Sequence, residues 1–175
     1  MKAITPLEQF RMEKDEFFAH HPESPLEDED RRNFRGLSYF PENLTLRLEV
    51  QVEESPSKDV ISIPTSTEDT QVYSRFGTIM FEVEGQTAKL TIYVNQSGYF
   101  LPFVDSLAGK ETYPAGRYVE PKELGGGRFL VDFNLAYNPY CAYADHWSCP
   151  LTPFENRLKV PIRAGEKLFH RDDLP

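Results

Sequence analysis

Cysteine, methionine and tryptophan are scarce: two, three and one of them in 175 residues. Two cysteines cannot build a disulfide framework for a chain of this length; they are expected to be reduced thiols, the alternative their spacing leaves open being one bridge that pins their loop closed. No apolar run approaches the ~20 residues of a membrane-spanning helix, and the N-terminus lacks the basic-then-apolar layout of a signal peptide, so a cytoplasmic location and no membrane partner are expected. The sequons Asn43-Leu-Thr and Asn95-Gln-Ser then carry no sugar. Basic residues are in the minority, 19 Lys and Arg against 28 Asp and Glu for a net charge of −9, which argues against nucleic acid, whose phosphates need clustered cations. Phosphate loops are missing too. Gly125-Gly-Gly127 is followed by neither Lys-Ser/Thr nor a helix, so it reads as a flexible turn.

Aromatic side chains are plentiful, with thirteen Phe and nine Tyr, and they favour strands over helices. The length suits one domain, 1–175, able to bury its own core, with a helical extension over 1–40 and a β-domain over 41–175. Thr5-Pro6-Leu7-Glu8 has the N-cap, first-position proline and returning glutamate of a helix start. That helix is expected to run to Ala19 and to dock through Leu7, Phe10, Phe17 and Phe18. Ser24-Pro25-Leu26-Glu27 repeats the signal for a short second helix closed by Gly36. Strict alternation over Leu44–Val52 predicts a strand. Further strands are expected at Val60–Ile63, Gln71–Phe76, Thr78–Val83, Ala88–Val94 and Tyr99–Val104, with a hairpin at Glu84-Gly85-Gln86 and an interruption at Pro102. Strands this short and this closely spaced predict a mainly β fold, an antiparallel barrel or sandwich with two short N-terminal helices packed outside.

The stretch from Phe129 to Glu166 organises the rest. Alternation over Phe129–Asn134 predicts a strand that points Asp132 and Asn134 the same way, and a second strand is expected over Leu158–Arg163, its outer face carrying Arg157, Lys159 and Arg163. Between them runs a proline-stiffened loop, holding both cysteines and Trp147, too apolar to be a solvated linker.

The wording Asp132-Phe-Asn-Leu-Ala-Tyr-Asn-Pro-Tyr-Cys-Ala-Tyr143, Cys149-Pro-Leu-Thr-Pro-Phe-Glu-Asn-Arg-Leu158 and Ile162-Arg-Ala-Gly-Glu-Lys167 resembles the uncharacterised prokaryotic family Domain of Unknown Function 1684. So do Glu23-Ser-Pro-Leu26, Phe34-Arg-Gly-Leu-Ser-Tyr-Phe-Pro41, Pro102-Phe-Val-Asp105 and Gly109–Tyr118. The resemblance covers nearly the whole chain and brings no established activity. Leu107 stands where the family wording implies a threonine, and Phe154 where it implies a proline, a change expected to matter only for packing.

Asp105, Asp132, Asn134, Asn138, Asn156, Arg117, Tyr113 and Tyr140 are polar groups set in apolar motifs. In a structural role they tie down long loops through backbone bonds and an Arg-Asp pair. In a functional role they, with Cys141 and Cys149, form a pocket at the 105–118 and 132–156 loops for a small polar ligand, anionic if Arg117 faces it. An alternative is a hydrolase-like enzyme using Cys149 or Asp132, with Asp105 as a second carboxylate for acid-base work. Cys141-x4-His146-x2-Cys149, with Asp145 adjacent, has a spacing compatible with zinc, but a second pair of ligands close in sequence is missing, so no metal and no cofactor are expected. A third alternative is a module whose loop only closes the fold. Pairing into a homodimer is the commonest assembly open to such a chain.

Overall fold

The computed structural model describes residues 3–169. Helix α1, Pro6–His20, starts as its sequence dictates: Thr5 Oγ1 accepts from the Glu8 amide and the Glu8 carboxylate accepts from the Thr5 amide. Helix α2 is shorter than expected, Asp28–Asn33, and Ser24 does not cap it. The Ser24 hydroxyl donates 2.6 Å to the Phe18 carbonyl instead, tying off the end of α1. Both helices lie against the loop region, where Phe18, Leu26, Phe34 and Tyr143 form a buried cluster.

Between residues 47 and 132 the strands pair antiparallel. Strand β1 is Arg47–Gln51, β2 Glu53–Glu54, β3 Val60–Pro64, β4 Thr70–Val83, β5 Gln86–Asn95, β6 Gly98–Phe103, β7 Arg117–Val119, β8 Lys122–Gly125 and β9 Arg128–Asp132. One sheet has the order β1-β9-β8, the other β2-β4-β5-β6-β7 with β3 also on β4. The two sheets do not close into a barrel. They share one core, to which β4 and β5 give Ile79, Phe81, Leu90 and Ile92, and β9 gives Phe129 and Val131. The arrangement is sandwich-like, both sheets contributing side chains to that core.

Several further expectations change, the interruption at Pro102 among them: β6 runs through Pro102, which pairs with Tyr118 of β7. The alternation at Leu44–Val52 is only partly strand: Asn43 Oδ1 accepts from the Thr45 amide and opens a 3-10 turn over Leu44–Leu46, leaving Leu44 exposed. Local side-chain capping outcompetes the ladder there. The segments 71–76 and 78–83 are one strand, β4, with a bulge between Arg75 and Gly77. A Cβ at Gly77 would fall 2.6 Å from the Glu53 carbonyl, so glycine lets β2 cross close to β4. Phe133–Leu135 is a 3-10 turn rather than strand, because Asp132 Oδ1 takes the Asn134 amide. Residues 158–163 keep the expected in-out alternation, with Val160 and Ile162 buried and Arg157, Lys159 and Arg163 exposed, but form no strand. Pro161 offers no amide, and the Ile162 amide goes to Asp105 Oδ2.

The turn Glu84-Gly85, both residues at positive φ, closes the β4–β5 hairpin where expected. Phe154 is not packed at all. It stands 87% exposed at the start of a 3-10 turn.

Candidate functional site

Most of the polar residues singled out in the sequence serve as clamps on buried backbone. Arg117 is 1% exposed; Nη2 donates 2.8 Å to the Ile162 carbonyl, and Nη1 donates to the Ala164 and Glu166 carbonyls. Burial pulls its pKa down to about 10, still charged at neutral pH, with Asp105 and Glu166 acting the other way. Asp105 accepts from the Thr112 hydroxyl at 2.6 Å and from the Ile162 amide at 2.8 Å. Asn134 exchanges two bonds with the backbone of Asn43, and Asp132 holds Asn134 in place. The Asn138 amide donates to buried Glu166, whose carboxylate also takes the Tyr143 hydroxyl and pairs with Lys14 of α1. Asn156 bonds to Thr91 and Pro102.

The other expected residues gather elsewhere. A cleft of about 720 Å³ opens between α1, the face of β4, β6 and β7, and the 137–150 loop. Tyr140, Trp147, Cys149 and Pro150 come from the loop, and Tyr73, Phe100 and Tyr118 rise from the sheet. Helix α1 supplies Phe10, Lys14 and Phe17, an i, i+4, i+7 stripe on one face. This explains why Phe10 is left 41% exposed: it overhangs the opening instead of docking.

The rings hold one another edge-on. Tyr118 meets Phe100 at 4.8 Å and Tyr137 at 5.8 Å, and Tyr140 meets Trp147 at 5.3 Å. The Tyr118 hydroxyl donates to the Pro150 carbonyl, and that of Tyr137 donates 3.0 Å to Glu120. Burial drives both phenols well above their ordinary pKa, so they stay neutral donors. Trp147 Nε1 donates 3.2 Å to the Pro25 carbonyl, fixing that wall to the helical segment.

Cys149 lines the cleft and touches Cys141: the Cys141 amide lies 3.3 Å from Cys149 Sγ. Tyr113 completes the group, its hydroxyl 3.8 Å from Cys141 Sγ. Both cysteines are free thiols. The hydrogen bond from Cys149, aided by the Tyr113 and Ser66 hydroxyls against the opposing effect of burial, pulls the Cys141 thiol down to about 6. Cys149, bonded to Cys141 and buried, is pushed well up. His146 lies against Trp147, ring centroids 4.7 Å apart, and among the described residues no group of three or more His, Cys, Asp and Glu is arranged to hold a metal ion. Nor, among them, is any helix long and apolar enough to cross a membrane.

The structure thus brings Tyr140, Cys149, Cys141 and Tyr113 together, and sends Arg117, Asp105, Asp132, Asn134, Asn138 and Asn156 to the frame around them. Sequence reasoning missed Phe10, Lys14, Tyr73, Phe100, Tyr118, Glu120 and Tyr137 as cleft residues. Only the α1 stripe left a readable trace.

Fold and cleft define an antiparallel two-sheet β protein with an aromatic cleft roofed by an N-terminal helix. The chain belongs to the family described as "Protein of unknown function (DUF1684)", which it matches over residues 32–167. It is also similar to an uncharacterised protein of Haloarcula marismortui whose solution NMR structure is known, at 37% identity and a TM-score of 0.70, over 92% of this chain and 91% of that one. None of the curated proteins matches it.

Proposed function

We propose that this protein binds a small, flat, largely apolar molecule in the aromatic cleft, in a reducing cytoplasmic setting. The observation that carries the reading is the cleft itself. Its volume of about 720 Å³ falls within the ~300–1,000 Å³ of small-molecule sites, and its walls are rings with a few polar groups at their margins.

The charge at the margin favours a neutral or cationic ligand. Glu13 and Glu120 face the opening, whereas the charge of Lys14 is engaged by Glu166 and lies over the Tyr137 ring at 5.1 Å. The expectation of an anionic ligand rested on Arg117, whose guanidinium is bonded to three carbonyls away from the cleft. The test is an NMR-observed fragment screen comparing flat cations, neutral rings and carboxylates of the same size. Shifts centred on Phe100, Tyr140 and Trp147, largest for cations and neutral rings, support the reading. Shifts confined to carboxylates, or none near these residues, sink it.

A further inference from the structure

The dithiol beside the cleft has a geometry that ligand binding does not require. Cys141 sits in a 3-10 turn, Tyr140–Ala142, entered through Pro139. Cys149 is pinned from the opposite side: its amide donates 3.1 Å to Ser66 Oγ and its carbonyl accepts 2.9 Å from the Ser66 amide. Thr65 Oγ1 and Ser148 Oγ, 3.0 Å apart, brace the same corner. Cys149 Sγ is thereby held against the Cys141 amide by separately anchored stretches of backbone, with the Tyr113 hydroxyl beside Cys141 Sγ. Cys141 is part-exposed, while Cys149 is 8% exposed in the cleft wall.

We propose that Cys141 and Cys149 form a two-cysteine redox site, in which Cys141 is the nucleophile toward hydroperoxides and Cys149 resolves the product as an intramolecular disulfide.

In the first step the Cys141 thiolate attacks one peroxide oxygen. An S–O bond forms, the O–O bond breaks, and the leaving alkoxide or hydroxide takes a proton from water. Sulfur loses two electrons to the peroxide and becomes a sulfenic acid. In the second step Cys149 gives up its proton and attacks the Cys141 sulfur. The S–S bond forms as the S–O bond breaks, and the departing hydroxide takes a proton to leave as water. The order follows from the pair. Cys141 is the thiol that its neighbours stabilise as thiolate, and Cys149 is held protonated chiefly because it donates to that thiolate. Once Cys141 is a neutral sulfenic acid, that restraint is gone. The sequence offered either thiol as a nucleophile and Cys149 for hydrolase-like chemistry; the proposal gives that part to Cys141.

The experiment is limited hydrogen peroxide treatment of the full-length protein, with the thiols mapped by peptide mass spectrometry. The wild type should lose both free thiols together and become two hydrogens lighter as a monomer. Cys149→Ser should trap a dimedone-reactive sulfenic acid on Cys141, and Cys141→Ser should leave Cys149 unlabelled. A control that needs no variant is iodoacetamide alkylation of the folded wild type near neutral pH, where Cys141 should react at least about tenfold faster than Cys149. Dimedone on Cys149, a disulfide only between chains, or equal alkylation of the two thiols would overturn the proposal.

Discussion

The side-chain amide of Asn156 stands between Thr91 of β5 and Pro102 of β6 as a substitute for a missing rung of the sheet. The β5–β6 register runs through Tyr93 opposite Phe100 and stops, although two more residues of the same register would face Thr91 with Pro102. Pro102 has no amide to give Thr91. Asn156 Oδ1 accepts from the Thr91 amide at 2.8 Å, and its Nδ2 donates to both the Thr91 and Pro102 carbonyls.

Replacing Asn156 with Ala leaves one buried donor and two buried acceptors unpaired, and should cost about 2–4 kcal/mol in urea unfolding. Asn156→Asp should cost more than Ala, since it turns a carboxylate toward two carbonyl oxygens. Equal stability of the three proteins would remove the rung.

Arg117 and Asp105 approach to 3.7 Å with both side chains shut from water. Arg117→Met should destabilise by about 3–5 kcal/mol, because it strands the Asp105 charge along with three carbonyls. Thermal unfolding measures it. A loss below about 1 kcal/mol would mean that the carbonyls find water in the mutant and that the site is wetter than its burial implies.

In the cleft, Tyr140→Ala should weaken any fragment that binds there by about tenfold, the equivalent of ~1.4 kcal/mol, while leaving the sheets intact. Trp147 is the only tryptophan, so its fluorescence reports both occupancy and fold. Unchanged affinity with a quenched Trp147 would move the ligand to another wall.

The thiol pair gives stability a pH signature. The Cys141 thiol sits at about 6 in the fold, below its ordinary value near 9, so its stabilisation is full above the ordinary value and is lost as pH falls through 6. Cys149 is shifted the other way, so above the ordinary value the unfolded chain releases a proton that the folded one keeps, and stability declines again. The wild-type advantage over Cys141→Ser should therefore grow from pH 6 toward 9 and then shrink. A pH-independent difference in chemical denaturation would contradict the thiolate.

What could be read in advance divides by the range of the interaction. Helix α1 was legible because Thr5 and Glu8 are three residues apart, and the β4–β5 hairpin because Glu84-Gly85 is a local turn. Residues 158–163 showed correct sidedness, since burial follows alternation, yet not their hydrogen bonding, which Asp105 sets from 57 residues away. Of the polar residues marked in apolar motifs, Asp105, Arg117, Asn134, Asn138 and Asn156 are buried, Asp132 and Tyr113 half-buried and Tyr140 exposed. Whether Arg117 faces a ligand or three carbonyls depends on where residues 162–166 return, which no local pattern records. The cleft was least legible of all, because Phe10, Tyr73, Phe100 and Tyr118 meet only after the helix is laid over the sheet.

The three carbonyls that accept from the Arg117 Nη atoms lie 45 to 49 residues downstream of it. On a ribosome adding ~5–20 residues per second, that separation is a wait of several seconds, during which the Arg117 cation has Asp105 behind it but none of its carbonyl partners. The sheet can therefore be assembled early, but it cannot be sealed until residues 162–166 arrive. Stalled nascent chains ending before residue 162 should stay sensitive to protease, and chains long enough to release residue 166 should resist it; resistance in the shorter ones would show that the seal is dispensable.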